Sequence, residues 1–428
     1  MVEKQITRSP IDNSIYVERE LASEQDIDQA LINAHQAQVQ WRLTSIEQRA
    51  IICHAMIDSL LTRTDEIAEQ LTWMMGRPIR YGKGEVSGMA ERARFMIDAA
   101  KSALAPVVLQ ALSPPLSSGI APDTSPEALA EQSDLQRYIK REPLGLVFVI
   151  APWNYPYLTA INTIIPAIMA GNSVLLKHSA QTPLCAEQFL WAFQQTDLPA
   201  GVFQYLHLSH VHTEQIIREA PINHVAFTGS VAGGKMVERA SAGRFIGIGL
   251  ELGGKDAAYV RADADIPKAV ETCIDGAFFN SGQSCCGIER LYVHADVYQS
   301  FVEKAVALVK QYKLGRPDDM STTLGPVVKS SAADYIRAQI NDALSKGATA
   351  HINPADFPLN SSSGTYLAPQ VLTDVDHSMS VMKDESFGPV VGIMKVENDQ
   401  QAIELINDSA FGLTAAVFTK NTEQGIAI

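Results

Sequence analysis

Cysteine is scarce in this chain of 428 residues. There are five, Cys53, Cys185, Cys273, Cys285 and Cys286, too few and too irregularly spaced for a disulfide framework or a zinc pattern. A reducing compartment, the cytoplasm, is the expected setting. Positive charge is short as well: 34 Lys and Arg against 48 Asp and Glu leave a net charge of −14, which repels nucleic acid and anionic membranes and argues against both as partners. No apolar segment of the secretory type follows Met1, so no signal peptide is expected. Between Pro143 and Leu176 charge is missing altogether, a length that invites a membrane reading. That reading fails because Pro152, Asn154, Pro156, Asn162, Pro166, Gly171 and Asn172 interrupt any spanning helix. A buried strand-turn-helix-strand unit accounts for the run.

What is present belongs to a globular α/β protein. With 46% hydrophobic and 19% charged residues, the chain has core to bury and enough length for two or more domains. Ser23 to Lys101 carries apolar residues three and four apart, predicting three long helices. Pro106 to Asp134 has no periodicity and reads as an insertion or linker on the surface. Strands are then expected at Leu146 to Ile150, Ser173 to Leu176, Val202 to Leu206, Val225 to Thr228 and Ile246 to Leu252, separated by helix-length segments as in parallel βαβ units. A second alternating block starts at Ala257, so the domains should divide near Gly253-Gly254, giving 1–252 and 253–428.

Chemistry concentrates in Phe278-Phe279-Asn280-Ser281-Gly282-Gln283-Ser284-Cys285-Cys286, where a Gly-Gln turn can bring backbone close to a substrate. Cys53, Cys185 and Cys273 read as small buried hydrophobes. Adjacent cysteines resist pairing because a vicinal disulfide strains the peptide, and the residues alone leave open which of Cys285 and Cys286 is reactive. Gly229-x4-Gly234-Lys235 follows an apolar strand and opens a helix, a phosphate-binding geometry. It misses the P-loop, since Met236 stands where a hydroxyl must hold magnesium. Gly247-Ile248-Gly249 misses the dinucleotide fingerprint, because the third glycine, Gly253, comes one residue late. His207, His210 and His212 lack a Cys or carboxylate set, so no metal is expected.

Phe279-Asn280-x-Gly282-Gln283-x-Cys285 together with Glu251-Leu252-Gly253-Gly254-Lys255 resembles the aldehyde dehydrogenase superfamily. Pro152-Trp153-Asn154, Lys177 with Gln181-Thr182-Pro183, Phe227-Thr228-Gly229-Ser230 and Glu385-Ser386-Phe387-Gly388-Pro389 occur in the same order as in that family. The resemblance implies two Rossmann-like domains, one for the cofactor and one catalytic, with the site in the cleft between them. It implies NAD(P)-dependent oxidation of an aldehyde to a carboxylic acid. Cys285 would be the nucleophile, Asn154 and the Cys285 N–H the oxyanion donors, and Glu251 the general base, tuned by an apolar setting. Ala151, Pro152, Trp153, Lys177, Ala180, Gly229, Ser230, Gly234, Leu252, Glu385 and Phe387 would hold the dinucleotide. Members that prefer NAD commonly carry Glu three residues after the lysine; Ala180 there implies that NADP is accepted, with His178 as an added donor. Tyr155, Tyr157, Thr159, Asn162 and Phe279 should lie near the entrance and suit an uncharged aldehyde. A reductive or acyl-transferring relative, or an idle nucleotide-binding protein, are the alternatives. The family forms homo-oligomers, and the end at Ile428 suggests a shortened catalytic domain with weaker association and activity.

Overall fold

The computed structural model of the protein describes residues 3–109 and 137–428. A hairpin of β1 (Lys4–Arg8) and β2 (Ile15–Glu20) leads into four helices, Glu24–Trp41, Ile46–Leu61, Thr64–Met75 and Ile79–Ala103, where periodicity predicts three. Ser23 and Ser45 cap the first two with their side chains, and Gly76 in the left-handed region stops the third. The extra break falls at Thr62-Arg63, which has no glycine, proline or side-chain cap to announce it. The expected insertion begins instead as β3 (Val107–Leu109), paired antiparallel with β4 (Arg137–Ile139); residues 110–134 of it lie outside the described residues.

Five parallel strands follow: β5 (Leu146–Ala151), β6 (Ser173–His178), β7 (Phe203–Tyr205), β8 (His224–Thr228) and β9 (Gly247–Glu251), in the spatial order 7-6-5-8-9. Both faces are covered. In β5 the pleat sends Val147, Val149 and Ala151 into one core with Met56, Met89, Ile161 and Phe189, and Leu146, Phe148 and Ile150 into another with Leu31, Ile217 and Val237.

A second sheet contains β10 (Asp256–Val260), β11 (Ile288–His294), β12 (Thr349–Ala350), β13 (Gln370–Thr373), β14 (Val390–Val396) and β15 (Ala415–Phe418), in the order 12-13-14-11-10-15, parallel except for β12. Its faces also divide by alternation: Ala258, Val260, Leu291 and Val293 pack with Cys273, Ile274 and Phe301, while Ala257, Tyr259 and Tyr292 pack with Ile336 and Leu372. Cys53, Cys185 and Cys273 are buried in these cores as expected, and burial pushes the thiols of Cys53 and Cys273 up to about 12. No helix among the described residues is long and apolar enough to cross a membrane.

Candidate active site

Parallel strands end on one edge of a sheet, and the chain leaves that edge in turns whose backbone groups are free to meet a ligand. Pro152-Trp153-Asn154 follows β5, Lys177 is the penultimate residue of β6, Gly229-Ser230 follows β8, and Glu251 ends β9. Ser230 caps the helix Val231–Ser241, accepting the Gly233 N–H at 3.2 Å. Glycine is required nearby for close packing, since a Cβ on Gly234 would come within 2.6 Å of Leu252. Ser230, Val231 and Ala232 at this helix start share a cleft of about 540 Å³ with Trp153, Glu385, Ser386 and Phe387. Phe387 meets Trp153 edge to face, 5.7 Å between ring centres.

The cysteine turn is buried and strained. Asn280, Ser281 and Gly282 have φ of 54°, 56° and 72°, a left-handed run that only surrounding contacts can hold for the two non-glycine residues. Ser281 donates to Gly325 O at 2.9 Å, and the Gln283 side chain accepts the Val328 N–H at 2.8 Å. Asn154 joins the turn directly, its Nδ2 donating to Gln283 O at 3.3 Å. Beyond it Cys285 is half-buried and Cys286 exposed. The two thiols share their ionisation: the neighbouring Cys285 holds Cys286 down, to about 6, while Cys286 and burial push the Cys285 thiol up.

The cofactor-side groups have separate supports. Glu385 accepts the Gly254 N–H at 3.2 Å, and burial, with Glu289 adding like charge, raises its carboxyl to about 7. Glu289 itself is buried and accepts the N–H groups of Ser386 and Phe387 at 2.7 and 2.8 Å and the Lys255 amine at 2.5 Å. Lys177 is 7% exposed, and burial lowers its pKa. No carboxylate among the described residues lies within ion-pair distance of it. Ala180 is exposed. A buried amine without a counter-ion, a carboxylate beside a glycine turn and a capped helix start in one region fit a dinucleotide.

Three expectations need correction. His178 offers nothing to a phosphate: it is buried, donates from Nε2 to Pro156 O (3.2 Å), accepts at Nδ1 from Ser179 N (2.9 Å), and burial pushes it down to about 3. Tyr157 does not reach the entrance, because its ring is fully buried 5.2 Å from Phe189. Glu251 is exposed at the end of an edge strand, without the apolar seat expected for it. Tyr155 and Phe279 do come together, stacked at 6.4 Å, with Tyr81 at 5.4 Å from Phe279. Arg77, Glu85 and Glu289, all buried, were missed; a charged residue in sequence carries no sign that tertiary packing will enclose it.

The aldehyde dehydrogenase family matches residues 2–428. The succinate-semialdehyde dehydrogenase 1 of Mycobacterium tuberculosis (strain H37Rv), designated NADP(+), is 32% identical over 406 residues, covering 94% of this chain and 84% of that protein. Among solved structures, NADP-dependent glyceraldehyde-3-phosphate dehydrogenase from Bacillus halodurans with NADP is similar at a TM-score of 0.87 and 30% identity, covering 99% of this chain and 84% of that one. Succinic semialdehyde dehydrogenase from Streptococcus pyogenes with NADP+ is similar at 0.88 and 27%, covering 99% and 88%. With that match over nearly its whole length and this cleft between two parallel sheets, the chain belongs to the aldehyde dehydrogenase family, the NAD(P)-dependent oxidoreductases that act on aldehydes.

Proposed function

We propose that Cys285 attacks the aldehyde carbon, and that Asn154 Nδ2 and the Cys285 N–H stabilise the resulting oxyanion. The observation that carries this reading is the Asn154 to Gln283 contact, which brings the candidate oxyanion donor onto the turn that ends in the cysteine pair. The Cys285 proton leaves to solvent as the sulfur attacks, and the negative charge passes to the carbonyl oxygen. The bound nicotinamide supplies a hydride acceptor. Collapse of the thiohemiacetal, with departure of the hydride, leaves a thioester on Cys285. Glu251 takes a proton from water as its oxygen attacks that thioester, the acid is released and the thiolate returns. Exposure suits Glu251 to this role, because the water comes from solvent.

On the cofactor side, Lys177 supports binding at the adenosine ribose, the start of Val231–Ser241 at the pyrophosphate, and Glu385 with Phe387 at the nicotinamide end, with Ala151, Pro152 and Leu252 as walls. NADP as cofactor is supported by Ala180 and by the NADP designations of the relatives. Five free thiols support a cytoplasmic setting. Exposed Phe245, just before the edge strand β9, and exposed Ile248 within it support a homo-oligomer. We also divide the chain functionally at Leu252/Gly253, between Glu251 at the end of one sheet and Asp256 at the start of the next.

For the substrate, a neutral aldehyde is favoured by the aromatic wall of Tyr81, Tyr155 and Phe279 next to the cysteine turn. A semialdehyde with a terminal carboxylate has two observations in its favour, the relatives named for succinate semialdehyde and the exposed Arg92 guanidinium 3.5 Å from Asn162 Oδ1. Rapid mixing with cofactor and an aldehyde panel that includes succinate semialdehyde tests the whole reading. Cys285→Ala should give no reduced cofactor, Cys286→Ala should keep most of its turnover, and Glu251→Gln should keep the first burst but stall afterwards. Turnover in Cys285→Ala would overturn the assignment.

A further inference from the structure

Outside both sheets, one buried cluster ties the two halves of the site together. Arg77 sits in the turn between the helices Thr64–Met75 and Ile79–Ala103 and is 2% exposed. Its guanidinium donates from Nη1 to Glu85, from Nη2 to the backbone oxygen of Asn154 at 2.8 Å, and from Nε to Asn280 Oδ1 at 3.3 Å, with its plane 4.7 Å from the Tyr155 ring centre. Glu85 turns its other oxygen to the N–H groups of Tyr157 and Leu158, 3.1 Å each, at the start of the helix Pro156–Met169. Those are donors that a helix start leaves without partners. Asn280 in turn donates from Nδ2 to the same Asn154 oxygen, 3.2 Å, and to Gln283 O, 3.1 Å. The Asn154 carbonyl thus receives one N–H from Arg77 and one from the cysteine turn.

We propose that Arg77 is a positioning residue for the acylation step, holding Asn154 and the Asn280-to-Cys285 turn in one register so that the Asn154 amide and the Cys285 N–H converge on a single oxygen. The inference rests on the reading of Cys285 and Asn154 given above. Its physical basis is the guanidinium fork: one planar group satisfies a carboxylate, a carbonyl and an amide oxygen in three directions, which an ammonium on a flexible stem does not reproduce. The left-handed Asn280 and Ser281 need such an external clamp, because their backbone conformation is unfavourable in isolation.

Two variants separate positioning from folding. Arg77→Lys keeps a cation beside Glu85. The double variant Arg77→Gln with Glu85→Gln leaves no uncompensated buried charge and so guards against simple misfolding. Both are measured for the burst rate of reduced cofactor, for binding of NADPH by fluorescence, and for alkylation of Cys285 by iodoacetamide. Since a displacement of about 1 Å at a reacting centre costs on the order of 100-fold, the burst rate should fall roughly 10- to 100-fold while NADPH binding and alkylation stay within about twofold. An unchanged burst rate overturns the proposal, and so does a parallel loss of all three, which marks Arg77 as scaffold alone. Cys285→Ala run beside them keeps the two ideas apart: a surviving burst there refutes the nucleophile, whereas a lost burst there with normal Arg77 variants refutes only the clamp.

Discussion

At the scale of single residues, cofactor choice is a matter of what stands near Lys177. Ala180 leaves a small exposed side chain three residues on, where a carboxylate would repel a ribose phosphate by several kcal/mol at contact. Ala180→Glu should therefore move the ratio of kcat/KM toward NAD, by roughly tenfold or more if the repulsion is worth over about 1.4 kcal/mol. An unchanged ratio would place the discriminating contact elsewhere. The buried His178 takes no part in this, since its ring is committed to Pro156 and Ser179. Glu385 brings a pH dependence. Burial raises its carboxyl to about 7, so the folded protein prefers it protonated, and its contribution to stability is full below the ordinary carboxylate range and is lost as pH rises through about 7. Binding of a ribose hydroxyl needs the opposite form, the acceptor carboxylate. The KM for cofactor should fall as pH rises through that window, and Glu385→Gln should flatten the profile; a flat profile in the unaltered protein would count against the assigned role.

At the scale of elements, the cysteine turn is held by shape as much as by hydrogen bonds. A Cβ on Gly282, at φ 72°, would lie 2.1 Å from the carbonyl oxygen of Gly388, which is backbone next to the Glu385-Phe387 segment. Gly282→Ala should lose on the order of 1–3 kcal/mol through the unfavourable dihedral alone, read as a lower urea midpoint, and should disturb cofactor and cysteine sides together. A variant as stable as the parent would show that the two segments yield independently. The same element shows why local sequence was informative but incomplete. Gly282-Gln283 announces a turn, yet its left-handed start at Asn280 and Ser281 is set by Arg77, Gly325 and Val328, residues 203, 44 and 45 positions from their partners. Helix ends divided in the same way. Ser45 and Gly76 are local signals, whereas the break at Thr62-Arg63 has none.

For the whole molecule, hydrophobic alternation and chain order determined most of the architecture. Strands buried on both faces are predominantly apolar: β5 is apolar throughout and β6 is apolar at Val174, Leu175 and Leu176, so their places along the chain could be read before any contact was known. Cys285, Asn154, Glu251, Lys177 and Glu385 could be named because each sits in a short motif that resembles the aldehyde dehydrogenase family. Tertiary structure decided what those residues face. It took Tyr157 and His178 into the core, left Glu251 in solvent at a sheet edge, and enclosed Arg77 with Glu85 and Lys255 with Glu289. The physical reason is range: periodicity, turn propensity and backbone approach act over a few residues and are written in neighbours, whereas the burial of a charge depends on which distant oxygen or nitrogen arrives to compensate it.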